Sequence, residues 1–238
     1  MRRSSRCDCP GLPPAYLHAM RPWISTLLLL LLALNTGWFV AHSAGLGWQG
    51  LTAESTDDAH RVFFADAPVA NSALALHMIA GAVLTIGAPL QVLPVVRQRW
   101  NGVHRRSGYA LVLLAMLTGV GGLIYILLQG TVGGWWMSLW FTIYGAAMIG
   151  CAYATVHFAT RQDIRQHFAW ATRLVILAVG SWIYRMHYVI WYGATDGLWS
   201  NREFTGAFDL VQVVAFFVPY LLIAEMLLRR TTTTSVRA

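Results

Sequence analysis

The stretch HRRSGYALVLLAMLTGVGGLIYILLQ, His104 to Gln129, decides the fold. No charged residue follows Arg106 before its end, and about 20 predominantly apolar residues suffice for a helix to cross the hydrocarbon core. Within hydrocarbon every backbone polar group must be satisfied internally, so such a run reads as a membrane-spanning helix. Arg105 and Arg106 are placed to snorkel to the headgroups and fix the helix end at the interface. They explain two letters of the stretch, and His104 asks for another reason.

Outward from this helix the same reading covers most of the chain. Of 238 residues, 57% are hydrophobic and 11% are charged, where a soluble domain carries about 25% charged residues. The fold class is therefore all-α, a polytopic helical bundle. Six spans are predicted, at about residues 22–42, 70–95, 107–129, 134–159, 168–192 and 206–228. The organisation expected is a tail over 1–21, one membrane domain over 22–228 with its core at about 70–192, and a disordered TTTTS tail over 229–238. The apolar run of the first span exceeds the usual signal-peptide core of about 7 to 15 residues. A retained anchor is expected rather than cleavage near Ser43 or Ala44. Met20, standing directly before Arg21, Pro22 and the apolar run, reads as the working initiator. The connection from His42 to about Val69, with its DDAH and FFADAP, reads as a short interfacial helix or lid.

The net charge of +7 is carried by arginine alone. Its clusters lie beside apolar segments, where orientation in the bilayer explains them, and a nucleic-acid partner is excluded. Arg2, Arg3, Arg6 and Arg21 precede the first span; Arg97, Arg99, Arg105 and Arg106 follow the second; Arg161 and Arg165 follow the fourth; Arg229, Arg230 and Arg237 follow the last. The alternate connections hold Arg61 and Arg202 against Glu54, Asp57, Asp58, Asp66, Asp196 and Glu203. The positive-inside rule then puts both termini in the cytoplasm. Cys7, Cys9 and Cys151 form neither a disulfide framework nor a zinc spacing.

Ionisable residues inside spans are costly and mark functional sites. His77 and His187 lie at similar depth toward the outer face; His104, His167 and His157 lie toward the inner face. Gly81 follows His77 and Gly108 follows His104 by four residues, one helix face in each case. The missing side chain admits a flat cofactor ring or a closely packed neighbouring helix. Arg173 and Arg185 fall within the fifth span. Glu225 and Asp209 are their depth-matched candidate partners, and an anionic ligand such as haem propionates is the alternative. No G-x-S-x-G elbow, H-E-x-x-H helix or Gly-rich phosphate loop appears, so soluble-type hydrolase chemistry is excluded.

Three elements, LHMIAGAVLTIGAPLQ, HRRSGYA and QHFAWATR with a later arginine, resemble the family of predicted bacterial membrane proteins described as domain of unknown function 2306. The matching positions are His77, Gly87 and Gln91; His104, Arg105, Gly108 and Tyr109; His167, Trp170 and Arg173; and Arg185. The family pattern HR-x-WM-x-R is altered here by Phe168 and Ala171. The resemblance implies a multi-pass protein of the bacterial inner membrane and no established activity.

The arrangement also looks like that of the ascorbate-reducible and ferric-reductase-like membrane cytochromes. That likeness implies haem b as cofactor, a quinone or other redox partner, and an oxidoreductase role if the chain is an enzyme. His77 with His187 would hold an outer haem, and His104 with His167 or His157 an inner one. A residue separation of 20 between His167 and His187 corresponds to about 30 Å of rise and roughly 160° of rotation. Those two histidines are not expected to serve stacked haems on one face. A small transporter with a polar path through His77, Arg185 and Asp209, and a haem-free structural protein, are the competing readings.

Overall fold

The computed structural model describes residues 22–52, 62–64 and 66–236. Eight helices are formed: α1 (Pro22–Thr52), α2 (Pro68–Val92), α3 (Pro94–Gln98), α4 (Asn101–Gln129), α5 (Gly134–Thr160), α6 (Ile164–Thr195), α7 (Ala207–Ala215) and α8 (Val218–Val236). The described residues contain no strand. The chain divides into two compact units at Gly37, and the helical core belongs to the second, Trp38–Ala238. Among the described residues five segments are long and apolar enough to cross a bilayer: α2, α4, α5, α6, and α7 with α8 over Ala207–Arg230. The protein is thus an all-helical, multi-pass membrane protein. The span expected at 22–42 falls within α1, whose side chains up to residue 35 lie outside the described residues. The same is true of Cys7, Cys9, Met20 and the DDAH stretch.

Local chemistry sets the helix ends. Pro94 forces Leu93 into an extended conformation (φ −61°, ψ 129°), which stops α2 and starts the short α3. Gly130 ends α4 with φ +73°, ψ −158°, a conformation that side chains resist. Asp163 caps α6 by accepting from the Gln166 N–H at 3.0 Å. Pro219 lacks the N–H that would bond back to Ala215, so the sixth expected span is broken into α7 and α8 at Phe216 and Phe217. α8 then runs to Val236, helical through the stretch read from sequence as a disordered tail. α1 likewise continues to Thr52, beyond the predicted end of the first span.

α2, α4, α5 and α6 form a closed ring, each packing on the next and α6 on α2, with short connections that make neighbours antiparallel. α7 packs on α5 and α6, and α8 on α6. One end of the ring carries α3 and the starts of α4 and α6; the other carries α7. The centre is filled by Leu84, Ala115, Met148, Ala152, Leu177 and Phe216. Lipid is as apolar as leucine, so helices associate through close packing rather than burial from water, and small residues permit it. A Cβ on Gly121 would lie 2.6 Å from the Ala73 carbonyl oxygen of α2, and one on Gly119 would lie 2.6 Å from Ile149 Cγ1 of α5. Backbone cannot yield as a flexible side chain does. Gly121→Val is therefore expected to cost about 3 kcal/mol, visible as a lowered unfolding midpoint in detergent.

Candidate functional site

Polar groups gather in two places. The first is the α3 end of the ring. Gln91, in the last turn of α2, donates from Nε2 to Ser107 Oγ at 2.7 Å, and that hydroxyl donates to the Val103 carbonyl at 2.6 Å. Gln91 Oε1 is buried with no partner, and so are Arg97 Nε and His104 Nδ1. Among the described residues six buried side-chain polar atoms are in this condition, and half of them sit within this one cluster. His104 lies within electrostatic reach of His167 and Arg97. His167 is held by its Nδ1, 2.9 Å from the Thr155 carbonyl oxygen. A carbonyl only accepts, so Nδ1 carries the proton and Nε2 of the neutral ring keeps its lone pair. Arg97 also stands 5.9 Å from the centre of the Phe168 ring. The nearest atom to a Cβ on Gly108 would be Gln91 Oε1 at 3.9 Å, so this glycine opens toward the cluster.

The second place lies inside the assembly, toward α7. His77 places Nδ1 2.7 Å from the Thr118 carbonyl oxygen of α4 and packs its ring on Gly122, where a Cβ would approach Nδ1 to 2.9 Å. Arg185 donates to the Ser181 carbonyl at 3.0 Å and lies 4.7 Å from the Phe39 ring centre. His77, Tyr144 and Tyr184 are its electrostatic neighbours.

Several sequence expectations meet their geometry here. Arg173 pairs with Glu225 at 2.5 Å, as depth matching suggested, and stacks on Trp170 at 4.6 Å. Arg185 does not pair with Asp209. That carboxylate is fully buried and accepts from Tyr188 Oη, Ser200 Oγ, and the backbone N–H groups of Asn201 and Gly206, at 2.8 to 3.1 Å. It therefore drops out of any polar path with His77. His187 does not face His77: its Nδ1 meets Gln212 Oε1 at 3.0 Å and its Nε2 meets Tyr220 Oη at 2.8 Å, on the side of α7 and α8. With both nitrogens engaged, the outer histidine pair does not fit a bis-histidine haem. His157, the inner alternative, stacks on the exposed Tyr153 with ring centres 5.6 Å apart. A Cβ on Gly81 would lie 3.4 Å from Thr118 Cγ2 of α4, ordinary helix packing rather than a ring-sized slot. Arg105 is exposed at the α3 end.

Sequence reading overlooked Arg97, Ser107 and Thr155 as neighbours of the histidines. Only the Gln91 match hinted at them, since the others act through backbone placement or from a connecting turn. No group of three or more His, Cys, Asp or Glu side chains able to hold a metal ion occurs among the described residues. A haem asks for less, because the porphyrin supplies four of the iron ligands. Residues 74–228 match the family model described as Predicted membrane protein (DUF2306). The match takes in α7 and α8 as well as the four-helix ring. No curated protein and no solved structure matches the chain.

Proposed function

We infer, for a chain that belongs to the Predicted membrane protein (DUF2306) family, a role as a b-haem electron-transfer protein of the bacterial inner membrane. His104 and His167, on α4 and α6 at the α3 end, are the residues that would hold its iron. The observation that carries this reading is the buried, partnerless Nδ1 of His104 beside a His167 whose Nδ1 is anchored on the Thr155 carbonyl. Histidine ligands of metals commonly donate their second N–H to a backbone carbonyl, which fixes tautomer and ring orientation. Arg97, its Nε unpaired, is the guanidinium for a propionate. A bound b haem would supply one-electron chemistry, exchanged at this end with a quinone or a protein partner. In a purely structural role Gln91, Arg97 and His104 would each leave a buried atom unpaired, at about 1–3 kcal/mol apiece. An absorption spectrum of protein purified from haem-replete cells tests the reading. Folded, monodisperse, haem-free protein would overturn it.

Six spans with both termini cytoplasmic complete the proposal. The α3 end carries Arg97, Arg99, Arg105, Arg106, Arg161 and Arg165, while Asp196, Glu203 and Asp209 gather toward α7. Reporters fused after Arg106, Arg165 and Arg230 should read cytoplasmic, and one after Glu203 should read external. Glu203 and Arg165 on the same side would remove a span.

A further inference from the structure

We propose that Arg185 anchors a mid-membrane site for a lipophilic carboxylic acid, a single hydrocarbon chain with a carboxyl head, with His77 at the same level of the neighbouring helix. The proposal does not rest on the haem reading. Arg185 is exposed on α6 and His77 partly exposed on α2. The two helices pack antiparallel, with Thr85 Oγ1 donating to the Ala178 carbonyl at 3.2 Å, so His77, eight residues before Thr85, stands level with the turn of Arg185, seven after Ala178.

The usual account of an arginine in a span is snorkelling toward the headgroups. Here the guanidinium points the other way. It bonds the carbonyl of Ser181, one turn nearer the midpoint of the 32-residue α6, as helix geometry directs a long side chain toward the N-terminus. His77, the tenth residue of α2, lies within about 5 Å of that helix's midpoint at 1.5 Å per residue. A guanidinium has five N–H donors, and the partners of this one are a single carbonyl and the face of Phe39. It makes no ion pair among the described residues, and the depth-matched Asp209 is committed to four other donors. A cation at this depth calls for an anion, and the planar fork suits a carboxylate.

His77 completes the match. With Nδ1–H donated to the Thr118 carbonyl, Nε2 of the neutral ring is an acceptor. Among the described residues it makes no hydrogen bond, and His77 keeps part of its surface exposed. A neutral carboxylic acid can donate its O–H there while its carbonyl accepts from Arg185, and the anion can take the arginine alone. Phe39 and Tyr184 offer apolar wall to the chain behind the head. A phospholipid phosphate belongs at the headgroup level and does not fit this depth.

Native mass spectrometry and titration of the full chain in nanodiscs, with oleate as probe, test the site. The wild type should bind one oleate saturably, and oleyl alcohol, with the same chain and no carboxyl, should not displace it. Arg185→Gln should weaken binding at least tenfold, Arg185→Lys less, and Arg202→Gln not at all. Equal oleate binding by folded Arg185→Gln protein would overturn the proposal, as would displacement by oleyl alcohol in the wild type. Arg185-dependent binding of dioleoylphosphatidylglycerol in place of oleate would also overturn it, assigning the cation to a lipid phosphate. If Arg185→Gln fails to fold, the comparison of oleate with oleyl alcohol on the wild type still decides.

Discussion

His104→Ala and His167→Ala should each abolish the sharp alpha and beta bands that dithionite produces from a low-spin b haem, while His187→Ala and His157→Ala leave them in place. The contrast follows from how each ring is spent. His187 has both nitrogens engaged, by Gln212 and Tyr220, and its loss removes a polar clamp between α6 and the α7 and α8 pair. His157 faces Tyr153 on the outside of α5. His104 keeps an unpaired Nδ1, and His167, at the same end of the ring, is held through its own Nδ1 on the Thr155 carbonyl. If these two histidines hold a haem, loss of either would change or abolish its spectrum, an effect of most of its amplitude. Persistence of the low-spin bands in both variants would remove the haem from the α3 end. Arg97→Gln should leave the bands and shift the reduction potential, since it would remove a charge at this end rather than a residue that would hold the iron.

Asp209→Ala should be the most destabilising single substitution on the α7 side, at about 4 kcal/mol, with Asp209→Asn at about 2 kcal/mol. The carboxylate ties the connection after α6 to the start of α7 through Ser200 Oγ, the Asn201 and Gly206 N–H groups, and Tyr188 Oη. It is fully buried. Alanine leaves four donors without an acceptor in a place water does not reach freely, whereas asparagine keeps one oxygen for two of them. Thermal unfolding in detergent reads the difference. An Asp209→Ala protein melting with the wild type would show that the loop rearranges to satisfy itself. Because the site at the α3 end is formed by α2 to α6, the residual folded fraction of Asp209→Ala should keep its haem spectrum.

The placement of spans was legible because its cause is local. A backbone in hydrocarbon bonds within its own helix, so length and hydropathy alone mark α2, α4, α5, α6 and the α7 and α8 pair. The rotation between His167 and His187 was equally legible, being a property of one helix. His167 meets Thr155 of α5 and His187 meets α7 and α8, on different faces as the 3.6-residue turn requires. The Arg173 and Glu225 pair followed from depth alone, since both are long and face each other from α6 and α8.

Depth was not enough elsewhere. Asp209 stands at a level compatible with Arg185, yet it is turned into the loop it caps, and the nearest acceptor to the guanidinium is a carbonyl of its own helix. The break before Pro219 reorients α7, and no sum of hydropathies reports which way. By itself the sequence determined the membrane class, five of the spans and the face on which each histidine lies relative to its own helix. Which neighbour fills each face was decided by tertiary packing: Gly121 and Gly122 bring α4 against His77, and the packing of α5 on α6 sets the Thr155 carbonyl against His167 Nδ1. The physical reason is that small residues permit several close approaches of helices in lipid, and only the simultaneous fit of all of them selects one.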